Sequence, residues 1–392
     1  MKKATSTILL VLMMVTAHAQ TMFFDGTWKE AFAEAKKQNK YLFIDCYTDW
    51  CGWCKVADKK TFPDEDVAAF LNGNFVSVKV DMERGEGVEL AMKYRVTGFP
   101  SYLMFTPDGS YAHKMTGYIE KPADFIDQVK MALDEANRSA YPAKLTDNVA
   151  FPAFYESAYA NRDQKEKKTS PEMGDVDAWV AEQKDLKTIA AWSVIYRFPL
   201  NESNTERFLD DREAFVNVFG KAEVLDKIGS IANQKLGVAL KTQKESDLLV
   251  ALDFADRYMD EHKEENKAYY RLRFCEGKGD WTEYAKCAQG MIDFHGLENH
   301  LGGVNNYSWT IYLNTDDKDV LNTAIGWMKR VVEIDPLYMY LDTYAALHFK
   351  AGNYDQALLW ANKAIEVGKN EGENVQETEE LKDQILAAKA GK

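Results

Sequence analysis

Cysteine is scarce in this 392-residue sequence: five residues are too few for a fold stapled by disulfides. Nine prolines and 23 glycines exclude a collagen-like or low-complexity chain. Basic charge is also in short supply, with 48 Lys and Arg against 62 Asp and Glu and a formal net charge of −14. That balance argues against general nucleic-acid binding, which needs clustered cations to neutralise phosphates. No apolar run reaches the ~20 residues of a membrane-spanning helix. What is present is material for real cores, 46% hydrophobic and 12% aromatic, in a chain long enough for two or more domains.

The first nineteen residues read as a secretory signal. Lys2 and Lys3 precede an apolar run from Ile8 to Val15, and Ala17-His18-Ala19 supplies the small residues that place cleavage between Ala19 and Gln20. The apolar run is too short to cross a ~30 Å hydrocarbon layer, so no stable membrane insertion is expected after cleavage. Gln20 stands where lipid attachment would need a cysteine. Cleavage removes two of the 48 basic residues and none of the 62 acidic ones, which takes the net charge from −14 to −16. The expected location is outside the cytoplasm, the bacterial periplasm being favoured over full secretion.

From residue 20 to 138 short β-rich runs alternate with amphipathic stretches, which predicts an α/β domain with a central mixed sheet. Tyr41 to Cys46 and Phe75 to Val80 read as buried strands. Residues 52 to 72 read as helix with a break at Pro63, and Gly87 to Tyr94 as another helix. Ser101 to Phe105, a Pro107-Asp108-Gly109 turn and Tyr111 to Tyr118 predict a hairpin, and residues 122 to 137 a closing helix. After Ala140 the strand signal ends and three-and-four spacing predicts an all-α remainder. Its expected parts are a linker with an irregular helical segment (139–178), including an exposed loop from Asn161 to Asp175, and degenerate helical repeats (179–304). Two clearer repeats (305–369) and a capping helix with tail (370–392) complete it. The clearer repeats rest on Ala324, Trp327 and Val332 recurring as Ala357, Trp360 and Ile365, an offset of 33 that resembles the tetratricopeptide repeat.

Chemistry concentrates in Trp50-Cys51-Gly52-Trp53-Cys54-Lys55, directly after the first strand. A C-x-x-C opening a helix sets the first sulfur on free backbone N–H groups at the positive end of the helix dipole, which favours its thiolate. The second sulfur lies about one turn away, close enough to resolve a mixed disulfide. Cys51 is thus expected to be the exposed attacking thiol and Cys54 the buried resolver. Asp45, on the strand before, is placed to exchange the proton of the resolving thiol once burial raises its pKa. Pro100, after Gly98-Phe99 and before a strand, is expected in a cis peptide that opens the Phe99 backbone to strand-like pairing with substrate.

Asp45, the WCGWCK run, Asp81 and Gly98-Phe99-Pro100 together resemble the thioredoxin superfamily, over residues 22 to about 137. Thr61-Phe62 and the Val67 to Phe75 segment are most similar to the exported branch that includes the C-terminal domain of the transmembrane thiol:disulfide interchange protein. The resemblance implies a thiol–disulfide oxidoreductase with a redox-active Cys51-Cys54 disulfide, Asp45 as proton shuttle, and Trp50, Gly52, Trp53, Phe99 and Pro100 around the substrate. It implies no metal or other cofactor. A protein thiol or disulfide is the expected substrate, a membrane dithiol carrier the redox partner, and a protein partner is expected on the helical repeats. Gly52-Trp53 replaces the Gly-Pro of thioredoxin itself and brings no histidine to the loop, which favours a reductase or isomerase over a strong oxidant. The rival reading is a repeat-type binding scaffold in which the dithiol is secondary or structural.

Other features have plainer readings. One C-x-x-C with Cys46 and His113 nearby makes a poor zinc site. Cys46 on its strand reads as core. Asp81 to Gly87 lacks the glycine of a calcium loop, with Glu86 in its place. Cys275 and Cys287 fall on consecutive helices about the Gly277 to Asp280 turn, where a bridge competes with two free thiols. Trp309, Trp327 and Trp360 read as repeat core.

Overall fold

In a computed structural model, residues 20–138, 140–159, 169–259 and 263–391 are described. The signal segment and its scissile Ala19 lie outside them, as does most of the loop expected from Asn161. Residues up to Lys227 form one compact unit and those from Ile228 a second.

The first unit begins with α1 (Trp28–Gln38), β1 (Tyr41–Tyr47), α2 (Gly52–Lys60), α3 (Glu65–Asn74), β2 (Phe75–Asp81) and α4 (Glu86–Lys93). Next come β3 (Ser101–Phe105), β4 (Tyr111–Thr116) and α5 (Pro122–Lys130). The sheet order is β2-β1-β3-β4, with β1 and β2 parallel and the other pairs antiparallel. β1 is central, and its five inner residues are all buried, which explains its apolar run. Phe43, Phe62, Phe75, Tyr102 and Phe125 pack a core that holds α3 and α5 on one face. α1 was not foreseen, although Thr27 and Glu30 form a capping box at its start, a legible signal. The expected 122–137 helix stops at Lys130 and continues as two 3-10 turns, Met131–Leu133 and Glu135–Asn137. Asp134, whose carboxylate accepts from the Ala136 N–H, starts the second of these turns.

This sheet domain is tied to the segment after it. Lys93 Nζ donates to the carbonyls of Lys144, Leu145 and Asp147 at 2.7, 3.1 and 2.5 Å. The strap leads to α6 (Ala153–Glu156), α7 (Met173–Glu182), α8 (Ile189–Arg197), α9 (Glu202–Asp210), α10 (Arg212–Phe219) and α11 (Lys221–Thr242). Gly174 and Asp175, expected at the end of a loop, lie in α7. At the start of α11, Glu223 accepts from Arg95 Nη2 at 2.7 Å, Lys114 Nζ at 2.6 Å and Trp192 Nε1 at 3.0 Å. Arg95 and Glu223 are 2% and 5% exposed. A buried pair of this kind holds its elements firmly because breaking one side strands a charge. The compact unit therefore extends well past 138, where the composition changes.

The second unit is an array of helices: α12 (Glu245–Tyr258), α13 (Lys263–Lys278), α14 (Trp281–His295), α15 (Leu301–Asn314), α16 (Lys318–Ile334), α17 (Tyr338–Lys350), α18 (Tyr354–Glu371) and α19 (Gln376–Ala390). Each packs on the next along the chain, and from α14 most also touch the one after that, as expected of stacked hairpins. Ala324, Trp327 and Val332 on α16 and Ala357, Trp360 and Ile365 on α18 occupy matching inward positions of successive hairpins. Gly352, with φ 84°, makes the turn between α17 and α18 that a side chain would strain. The structure is thus a thioredoxin-like mixed sheet flanked by helices, with an all-helical C-terminal region after it.

Candidate active site

Cys51 is the N-cap of α2, and its Sγ accepts from the backbone N–H of Cys54 at 3.0 Å. Cys51 and Cys54 are joined in a disulfide, with their Cα atoms 5.4 Å apart. Cys51 was expected to be the exposed thiol; in the disulfide state both cysteines are 4% exposed. The surface at the dithiol belongs instead to Trp50 and Trp53, 58% and 60% exposed, while Gly52 between the cysteines has open space where a Cβ would stand.

Each tryptophan is held. Trp50 Nε1 donates to Glu83 at 2.8 Å, and its ring stands edge-on to Phe99 at 5.9 Å. Trp53 stacks on Tyr118 at 5.3 Å. The Phe99-Pro100 peptide is cis, Pro100 is buried, and its carbonyl accepts from the Gly117 N–H at 2.8 Å. Phe99 thereby connects the Pro100 loop to the C-x-x-C segment through Trp50. Gln20 lies elsewhere in this domain, on the rim of a separate cleft.

Asp45 sits in the middle of β1, 1% exposed, in register with Lys79 on β2 and Tyr102 on β3. Lys79 Nζ lies 2.5 Å from Asp45 Oδ2 and 2.5 Å from Asp58 Oδ1, while Asp45 Oδ1 has no hydrogen-bond partner. Burial pushes the Asp45 carboxyl up to about 6, only partly offset by Lys79. Lys79 and Asp58 open on a cleft of about 390 Å³ lined also by Gln20, Thr21, Phe23 and Phe62. The buried acid is thus linked through the Lys79 ammonium, by ion pairing, to a carboxylate on the cleft surface. Lys79, Asp58, Glu83 and Tyr118 were missed from sequence. Lys79 had a signal, as the one charge in the Phe75 to Val80 run. Cys46 is buried and free, and burial raises its thiol well above the ordinary value, so it is unsuited to exchange. The chemistry open to this arrangement is thiol–disulfide exchange at Cys51-Cys54.

Comparison with known proteins agrees with this chemistry. Residues 14–133 match the Thioredox_DsbH family, described as "Protein of unknown function, DUF255". The thiol:disulfide interchange protein DsbD of Pseudomonas fluorescens is 32% identical over 114 residues, 28% of this chain and 20% of that protein. An uncharacterized Caenorhabditis elegans protein, B0495.5, is 38% identical over 102 residues, 24% of this chain and 14% of its own. The chain thus spans a fifth or less of these curated relatives. A solution structure of a candidate disulphide-isomerase from Bacteroides thetaiotaomicron is 37% identical and covers 30% of this chain and 96% of its own, with a TM-score of 0.28. Residues 14–133 thus match the Thioredox_DsbH family and are similar to DsbD proteins, and an all-helical region follows them.

Proposed function

We propose that the protein is an exported thiol–disulfide oxidoreductase working in the reducing or isomerising direction on protein disulfides. The observation that carries this reading is the Cys51-Cys54 pair at the start of α2, next in sequence to a strand whose buried Asp45 has a carboxyl near pKa 6. Cys51 thiolate attacks a substrate disulfide, one substrate sulfur leaves as thiolate, and a mixed disulfide forms. Cys54 then gives its proton to Asp45 and attacks Cys51 Sγ, releasing the second substrate thiol and closing the Cys51-Cys54 bond. Asp45 then releases the proton to water, its carboxylate stabilised by the Lys79 ammonium. Trp50, Trp53 and Phe99 offer the apolar surface against which a substrate segment lies, paired along the Phe99 backbone.

The described residues present no helix long and apolar enough to cross a membrane. Electrons come from a membrane dithiol carrier in the periplasm, a proposal supported by the interchange-protein name of the Pseudomonas relative. The tetratricopeptide-like hairpins recruit a protein partner, since stacked helix pairs make extended binding surfaces. The test is the reduction potential of Cys51-Cys54, measured by equilibration in glutathione buffers and alkylation of free thiols. A value near roughly −270 mV, as in thioredoxin, is expected; one near roughly −120 mV, as in a strong disulfide donor, overturns the direction. Trapping of substrate by Cys54→Ser and its loss with Cys51→Ser checks the assignment of attacker and resolver.

A further inference from the structure

A second pair of thiols lies in the helical array. Cys275 is in the last turn of α13 and Cys287 is midway along α14, and their Sγ atoms are 3.0 Å apart with no bond between them. Antiparallel packing of the two helices about the Gly279 turn brings these sulfurs together from twelve residues apart. A disulfide needs a separation near 2.05 Å, so about 1 Å of side-chain movement would close the bond. Neither thiol is sealed in the core: both are partly exposed and line an open cleft of about 240 Å³. Arg271 and Lys278 line the same cleft, but so do Glu245, Asp280 and Glu283, whose charges oppose a thiolate at Cys275. Cys46 makes the contrast, as a fully buried thiol.

We infer that Cys275 and Cys287 form a second dithiol–disulfide couple, which closes by exchange with a low-molecular-weight disulfide and reversibly staples α13 to α14. Either sulfur can donate in the hydrogen bond they share; with Cys287 donating, the Cys275 thiol is lowered and Cys287 raised, and Cys275 is assigned as the attacking sulfur. Its thiolate attacks one sulfur of the small disulfide, whose S–S bond breaks, and the first small thiolate leaves and is protonated. Cys287 loses its proton to water, attacks Cys275 Sγ and expels the second small thiol. Two protein thiols are oxidised by two electrons and one small disulfide is reduced to two thiols. Nothing in this couple depends on the direction of electron flow at Cys51-Cys54.

The experiment uses the full mature chain equilibrated in glutathione buffers from reducing to oxidising, alkylated, digested with trypsin and mapped by mass spectrometry. Cleavage after Arg273, Lys278 and Lys286 puts the two cysteines on separate peptides, so a bridge appears as a linked pair. Expected is a fall from two alkylated thiols to none as the buffer becomes oxidising, with the linked pair appearing in step and disappearing on return to reducing buffer. Cys287→Ser is expected to trap a glutathione adduct on Cys275, and Cys275→Ser to leave Cys287 as free thiol. Two thiols that stay alkylatable in oxidised glutathione overturn the couple, as does a linked pair that reducing glutathione cannot open. An adduct that collects on Cys287 in Cys275→Ser, with none on Cys275 in Cys287→Ser, overturns the order of attack. Because the first mapping is made on the wild-type chain, a variant that fails to fold does not remove the test.

Discussion

Asp45→Asn is the most informative single change, because it removes a buried charge and a proposed proton acceptor together. The carboxyl is raised from 3.8 to about 6 in the fold, so the folded state holds a proton that the unfolded chain releases between those pH values. Stability linked to this group is complete below pH 3.8 and is lost as the pH rises through 6. The difference of about 2.2 units corresponds to about 3 kcal/mol at 1.36 kcal/mol per unit. At pH 8 the asparagine variant is therefore expected to unfold at a higher temperature than wild type, by roughly 6–12 °C for a unit of this size, and to show little difference at pH 4. Differential scanning calorimetry at both pH values reads this. The same variant is expected to slow release of the reduced substrate roughly a hundredfold at pH 7 and to abolish an inflection near pH 6 in the rate profile. A stability gain independent of pH, or a wild-type rate profile that survives the substitution, would refute the reasoning.

The geometry supports three further expected outcomes. Lys79→Met removes the cation that partly offsets burial, so the Asp45 inflection is expected to move above pH 6, as read by the rate profile or by carboxyl NMR titration. Glu223→Gln leaves Arg95 buried without its counter-charge and is expected to cost about 3–5 kcal/mol in urea unfolding of the first unit. Burial raises the Glu223 carboxyl, but Arg95 and Lys114 pull it further down, to about 2. The stability it lends is present above pH 4.5 and is lost as the pH falls through 2, so wild type and Glu223→Gln should converge in acid. Trp53→Ala opens the face stacked on Tyr118 and should raise KM for a protein disulfide several-fold with little change in melting temperature, since the side chain is 60% exposed.

The site was legible where its chemistry is local. A C-x-x-C after an apolar strand specifies a helix start, because the cap, the free N–H groups and the second sulfur all lie within one turn. Asp45 stood out as an acid in an apolar run, and Pro100 by its place before a strand. The thirty-three-residue recurrence of Trp327 as Trp360 likewise announced hairpins, since equivalent helices bury equivalent side chains. Helix α1 was missed although Thr27 and Glu30 cap it and Trp28, Ala31 and Ala35 recur at helical spacing on its buried face. The tie between the sheet domain and the helices after it was not legible, because Arg95 meets Glu223 across 128 residues, a pairing that no local pattern encodes.

By itself, then, the amino-acid order determined the elements, the redox tetrapeptide and the change from mixed sheet to helices, all of which depend on neighbours within one or two turns. Only the tertiary structure decided that Lys79 would reach Asp45 and Asp58 at once, that both site cysteines would be covered in the disulfide state, and that Cys275 would meet Cys287. Strand register and helix rotation are set by the packing of whole faces, and a rotation of a few tens of degrees separates two sulfurs in contact from two that never meet.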